Sequence, residues 1–568
     1  MHPSPHSSPS RALALFASLV LGGTFSGWTF PEAVAASPPA NDVVASTPVS
    51  DASRGRTGRS RWRRIDGREN NRRDPGMGAA GTPLRRHAPA AYADGASSLA
   101  GAGRPSARAV SNAVASQPHS LPNTLGLSDY LWQWGQFLDH DLDLTETADP
   151  AEAAPIPVPA GDPMFDPGGS GSAIIGFSRS AYDGRAAATP ARPRQQTNAV
   201  TAWIDASNVY GSDEVRAAAL RANDGTGRLR TSAGDLLPFN TDGLPNGGGP
   251  DPTLFLAGDV RANEQVGLTA VHTLFVREHN RLAAEISARH PRLGDEKIYQ
   301  RARRLVGAQM QVITYDEFLP GLLGANAVAP YRGYRRRVDA RIRTEFSTAA
   351  YRFGHSTLSP ILRRLDADGQ EIPEGSLPLR EAFFAPHRIL DEGGIEPLLR
   401  GLASQACQSL DTMVVEDVRS FLFGPPGAGG FDLPALNVQR GRDHGLPDYN
   451  TMRVAYGLPA AATFADVTTD PTTQARLTGI YGDVHDVDPW VGALAEDPMP
   501  GAMVGPLVMA VLVEQFEALR DGDRHWYTRT LGRRERREVE RTRLADVIRR
   551  NTTIGDEIPD DVFHAPAP

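Results

Sequence analysis

The chain has almost no cysteine and almost no lysine: Cys407 and Lys297 are the sole examples in 568 residues. A lone cysteine excludes any disulfide within the chain, whatever the redox compartment. It could pair between chains, but a small buried apolar residue is the plainer reading. Arginine therefore carries the basic charge, and with abundant Ala, Gly and Pro this reads as a bias of codon composition. Long apolar runs are also missing, so no segment reaches the ~18 consecutive apolar residues of a membrane span. Neither sign of charge dominates. The net charge is −8, which argues against nucleic acid as the main partner. There is no H-E-x-x-H, no G-x-S-x-G and no Arg-Gly-Asp, so zincin, α/β-hydrolase and simple adhesion readings lose their signatures.

What is present begins with an export signal over residues 1–35. Arg11 precedes an apolar run from Ala12 to Gly22, and Ala33-Val34-Ala35 offers a small-residue cleavage site. Residues 36–60 are rich in Ala, Ser, Pro, Asp and Arg without apolar periodicity, and are predicted to be a disordered linker. Length alone allows three or four average domains, but no linker splits the body over 61–563, and 564–568 form a tail. Pro- and Gly-rich tracts at 155–176, 241–251 and 424–430 are predicted surface loops. Between them the patterns are mainly helical. Leu268, Val271, Leu274, Phe275, Leu282 and Ile286 recur at spacings of three and four across 266–289, and 298–318 and 507–519 look similar. Alternating strand patterns are few and short, so the fold class is mainly α.

Chemistry concentrates in four places. Trp134-Gly135-Gln136-Phe137-Leu138-Asp139-His140-Asp141 sets a histidine between two aspartates inside an apolar segment. Burying these groups together is costly unless a cation, a cofactor or a tight hydrogen-bond network compensates. On a helix Gln136 and His140 share a face, with Asp139 and Asp141 flanking it. In 201–207 every second residue offers an oxygen: Thr201, the carbonyl of Trp203, Asp205 and Ser207. That suits a hard cation such as Ca²⁺, though ordinary turns share the pattern. Arg261 and Glu264 read as a solvated ion pair at a helix start, and His272 and His279 as structural. Finally, His355 follows Arg352-Phe353-Gly354 in an apolar helix. It is either a core histidine or a metal ligand whose second nitrogen another polar residue holds, and the run from Asn437 to His444 is too polar for a featureless core.

In this order the clusters resemble the animal-type haem peroxidases of the peroxidase–cyclooxygenase superfamily. The motifs are W-G-Q-F-L-D-H-D-L-D, D-A-S-N-V-Y-G-S, F-L-A-G-D-V-R, R-E-H-N-R-L-A, R-F-G-H and L-N-V-Q-R-G-R-D-H-G-L-P, and the likeness runs from Ile65 to Thr553. It implies a large single-domain fold with a helical core around haem b and few short strands. By resemblance His140 is the distal histidine, Gln136 its neighbour and Arg261 the distal arginine. His355 is the proximal iron ligand, Asn437 its partner, and Arg352 meets a haem propionate. Asp141, Thr201, Trp203, Asp205 and Ser207 match calcium ligands, and Asp139 and Glu264 the residues that form ester bonds to haem in vertebrate members. The implied activity is secreted: hydrogen peroxide is reduced while halide, thiocyanate or phenolic donors are oxidised.

Two departures sharpen this. Some vertebrate members carry a methionine after the esterifying glutamate and form a sulfonium link to haem; Gln265 excludes that link and leaves bromide, iodide, thiocyanate or phenols as expected donors. Fatty-acid oxygenases of the superfamily carry a radical-forming tyrosine three residues before the proximal histidine. Arg352 stands there, so the oxygenase reading lacks its central residue. A secreted binding protein that has lost catalysis is the other rival, and the intact set of Gln136, His140, Arg261, His355 and Asn437 argues against it.

Overall fold

The computed structural model describes residues 62–185 and 187–566. The expected export signal, the linker and the last two residues of the tail lie outside the described residues. Helices carry the architecture. The principal ones are α1 (Ala107–Val114), α2 (Tyr130–Leu142), the one-turn α3 (Ser207–Tyr210), α4 (Val266–Arg289), α5 (Asp295–Ile313), α6 (Leu433–Asp443), α7 (Pro506–Asp521) and α8 (Leu544–Asn551). The strands are two residues long and pair in four isolated ladders: 82–83 with 197–198, 116–117 with 414–415, 156–157 with 174–175, and 361–362 with 377–378. Such ladders staple loops rather than form a layer.

Among the described residues the core is one large cluster that takes in α2 and α4, with a small satellite of Ala308, Val312, Leu531 and Val539 beside it. Trp134 and Phe137 of α2 pack on Phe275 of α4 at centroid separations of 5.8 and 5.1 Å. Each such ring contributes roughly 1.5–3 kcal/mol by leaving water. The periodicity over 266–289 corresponds to α4 residue for residue, and Gln265 caps it, its side chain accepting from the Gly267 amide at 2.6 Å. The pattern over 298–318 is two structures rather than one. α5 ends at Ile313, and Thr314–Phe318 follow as a π-helical turn. Pro320 cannot donate to the carbonyl four residues back, which widens the ladder there. Arg352–His355 lie in a short 3₁₀ helix, Ala350–His355, instead of an α-helix.

Of the three predicted loops, the first is pinned at its ends by the 156–157 and 174–175 ladder, and two of them are tied inward. In the first, Asp162 is buried and accepts from Arg108 of α1 at 2.7 Å. In the second, Asn246 is fully buried and donates to the Phe255 carbonyl at 2.9 Å. At the start of the expected tail, Ala565 donates to the Gly126 carbonyl at 2.9 Å and His564 bridges to Leu127. Among the described residues no helix is long and apolar enough to cross a membrane.

Candidate active site

α2, the segment 259–265 before α4, and the 3₁₀ turn 350–355 enclose one cavity, closed at its far end by α6. Gln136, Asp139, His140, Arg261 and Glu264 line it from the first two, and Arg352 and His355 from the third. Asn437 stands behind His355, its Nδ2 2.8 Å from the ring Nδ1, and its Oδ1 accepts from Arg352 at 3.0 Å. Every residue predicted for haem chemistry is therefore on or directly behind one cavity.

The charges are arranged unevenly. Arg261 is not a solvated partner of Glu264. Its guanidinium donates through Nε and Nη2 to the two oxygens of Asp259, both at 2.9 Å, through Nη2 to the Asp143 carbonyl at 2.8 Å, and reaches Asp139 at 3.3 Å. Burial and the adjacent Arg261 hold His140 well below the ordinary histidine range, so its imidazole is neutral at neutral pH. His355 is lowered to about 3, again by burial first and Arg352 second. Asp139 and Glu264 face the cavity with 31 % and 23 % of their side chains accessible, and burial pushes both carboxyls up to about 7.

Several buried polar atoms on these walls have no hydrogen-bond partner: Asp143 Oδ1, Thr145 Oγ1 and Tyr351 OH. Orphans of this kind cost on the order of 1–3 kcal/mol each. A large guest with a charged rim and an axial site fits them. Asp143, Thr145 and Tyr351 were not singled out from sequence; the orphaned hydroxyls and carboxyl become visible only once the cavity exists. Gln265 was noted only for not being methionine. It also donates to Gln133 at 2.6 Å and Gln136 at 3.2 Å, which fixes the glutamine beside His140.

On the opposite side of α2 from the cavity, Asp141 meets the turn 201–207. Its Oδ2 accepts from the amides of Asp205 and Ala206 at 3.0 and 3.1 Å, and its Oδ1 from Ser207 Oγ at 2.8 Å. Thr201 Oγ1 donates to Asp205 Oδ1 at 3.0 Å, while Asp205 Oδ2 is buried without a hydrogen bond. Trp203 is fully buried in the same turn. Burial and the neighbouring Asp205 push Asp141 up to about 7. Two enclosed carboxylates beside the Thr201 and Ser207 hydroxyls are oxygen donors that could hold a hard cation, and Arg63 Nε lies 3.9 Å from Asp205 Oδ2. His279 is structural as expected, bonded to Tyr210 OH at 2.8 Å and the Gly227 carbonyl at 2.9 Å.

A mainly helical single domain that encloses two histidines and an arginine in one cavity defines a haem-enzyme type of site. Comparison with protein families matches residues 62–563 to "Animal haem peroxidase", and the chain belongs to that family. It is 37 % identical to peroxinectin A of Dictyostelium discoideum, over 88 % of this chain and 95 % of that protein. It is 38 % identical to thyroid peroxidase of Sus scrofa, over 89 % of this chain but only 60 % of that one, so it spans less than two thirds of the longer relative. The solved peroxidase A of Dictyostelium discoideum superposes with a TM-score of 0.82 at 35 % identity, covering 89 % of this chain and all of that one. The fatty acid alpha-dioxygenase of Oryza sativa shares the fold, with a TM-score of 0.72 at 21 % identity over 89 % of this chain and 87 % of that one. The family's enzymes are peroxidases, oxidoreductases that take peroxide as acceptor, and their cofactor is haem.

Proposed function

We propose that this chain is an exported peroxidase that reduces hydrogen peroxide and oxidises small donors: bromide, iodide, thiocyanate or phenols. The observation that carries the reading is the single cavity with His140 and Arg261 on one wall and the His355–Asn437 pair on the other. Haem held there would supply the iron at which peroxide is bound and reduced. His355 Nε2 would hold that iron, oriented by Asn437, while Arg352, Asp143 and Thr145 would meet the charged rim of the macrocycle.

The remaining chemistry belongs to the chain. Neutral His140 takes a proton from one peroxide oxygen and returns it to the departing oxygen, which leaves as water. Arg261 is permanently charged and stabilises the negative charge that develops as the O–O bond opens. Gln136 donates into the same space. Asp139 and Glu264, facing the cavity, are the residues for ester links to the cofactor; Gln265 provides no sulfur for a third. Asp141, Thr201, Trp203, Asp205 and Ser207 would hold Ca²⁺, which neutralises a buried carboxylate one residue from His140.

The test is the haem-loaded protein. Peroxide should shift the Soret band, and bromide or a phenol should then be consumed. His140→Ala should keep haem and lose about 10²–10⁴-fold in peroxide reaction, whereas His355→Ala should lose haem itself. The opposite assignment of the two losses would reverse the walls, and an unmoved Soret band would end the peroxidase reading.

A further inference from the structure

Asp259 belongs to none of the roles above, yet its carboxylate accepts three hydrogen bonds from Arg261 alone. It is 2 % exposed. Its Oδ1 accepts from the backbone amide of Arg261 at 2.8 Å and from Nε at 2.9 Å, and its Oδ2 from Nη2 at 2.9 Å. The same Oδ1 lies 3.4 Å from His140 Nδ1, a nitrogen with no other partner. Its own amide donates to the Asn208 carbonyl at 3.1 Å, so its backbone is fixed on the turn after Ser207. There is no space for slack. A Cβ on the preceding Gly258 would stand 2.4 Å from the Ser207 carbonyl and 2.6 Å from that of Asn208.

These contacts give one side chain two duties. A bidentate carboxylate removes rotamer freedom from an arginine and fixes the plane of its fork. A carboxylate facing one ring nitrogen of a histidine favours the tautomer with the hydrogen on that nitrogen, which leaves the other nitrogen as the base. Burial pushes the Asp259 carboxyl up, but the Arg261 guanidinium outweighs it and keeps the group well below the usual carboxylate range.

We infer that Asp259 is the positioning residue of the peroxide-facing wall: it holds His140 with Nδ1–H turned inward, so that Nε2 is the base, and it clamps Arg261 at the place where charge develops. The inference rests on the peroxidase reading and deepens it. Asp259 touches no reactant. Its loss should therefore slow the step that His140 and Arg261 share and leave haem retention and donor saturation alone.

The experiment compares haem-loaded wild type, Asp259→Asn, Arg261→Gln and the double variant, with peroxide-induced Soret change followed by stopped flow and cyanide affinity by spectral titration. Asp259→Asn should react with peroxide about 10–100-fold more slowly, bind cyanide more weakly, and keep wild-type haem content and donor KM. In the Arg261→Gln background the same change should cost less than it does alone, because the part of its effect that runs through that side chain is gone and only the part through His140 remains. A wild type that reacts beside an Asp259→Asn that reacts within twofold overturns the positioning role. A wild type that does not react overturns the peroxidase reading instead. A second measurement needs no variant of Asp259. In ¹⁵N-histidine spectra of the haem-loaded protein, the signal lost in His140→Ala should be the Nδ1-protonated form. Finding the Nε2-protonated form overturns the inference whether or not Asp259→Asn folds.

Discussion

Asn437 sets its side-chain amide 2.8 Å from the Nδ1 of His355. With iron on Nε2 the hydrogen must sit on Nδ1 and needs an acceptor, which Asn437 supplies when its amide turns over to set Oδ1, now facing Arg352, in place of Nδ2. Removing such a partner costs about 10–100-fold in metal affinity. Asn437→Ala should therefore bind haem more weakly by that factor in Soret titrations of the apo-protein, while Asn437→Asp, which keeps an acceptor, should bind it well. Equal affinity for wild type and Asn437→Ala would dissociate Asn437 from the iron ligand.

Calcium removal has a clear sign. Asp141 and Asp205 are buried, and burial raises both carboxyls. A cation that binds only the folded chain stabilises by RT ln(1 + [L]/Kd), about 2.7 kcal/mol at a hundredfold excess. EDTA should lower the melting temperature, and calcium added back should restore it. Asp205→Ala should melt at one temperature with or without calcium; a calcium-dependent melt in that variant would place the ion elsewhere.

Asp129, just before α2, predicts a pH dependence of stability. It is enclosed by Ser359, whose hydroxyl donates at 2.7 Å, and by Gln405, and burial pushes its carboxyl up to about 7. Its unfolded value is about 3.9. The folded chain thus binds the proton more tightly, and this stabilising contribution is complete below about 3.9 and lost as pH rises through about 7. Asp129→Asn imitates the protonated form. Its melting temperature relative to wild type should climb between pH 5 and pH 8; a constant difference would mean that Asp129 does not titrate in that window.

The ester links make a prediction at the bench. After turnover with peroxide, haem should resist extraction into acidic organic solvent, and Asp139→Ala with Glu264→Gln should release it. Haem that leaves the unmodified protein freely would exclude stable covalent attachment.

Cys407 is fully buried, accepts from Asn123 Nδ2 at 3.3 Å, and its thiol is raised well above the usual range by burial. Iodoacetamide should label it only after unfolding. Labelling of the native protein at a stoichiometric level would contradict this.

The motifs made His140, Arg261, His355 and Asn437 legible because each needs a chemically specific residue in a fixed local frame. The helices were legible where an apolar stripe persists, as in α4. It failed where the period changes within a few residues. Over Thr314–Phe318 and Ala350–His355 an apolar pattern cannot tell about 3.0, 3.6 and 4.4 residues per turn apart. Asp259 was visible as a letter in a motif but not as a partner of His140, because that pairing depends on how the turn after Ser207 carries the chain past α2. The inward ties of the loops were hidden for the same reason: Asp162 and Asn246 read as polar surface until Arg108 and the Phe255 carbonyl are placed beside them.

Gly258 carries a lesson for anyone who screens this protein by saturation mutagenesis. The atoms that a side chain there would strike belong to the backbone, at 2.4–2.6 Å, and backbone cannot swing aside as a rotamer can. All nineteen replacements should score as dead, as uniformly as replacements of His140. A tolerance map would then rank a residue that handles no proton beside the one that moves it, and only a separate measure of folded yield would tell the hinge pin from the chemist.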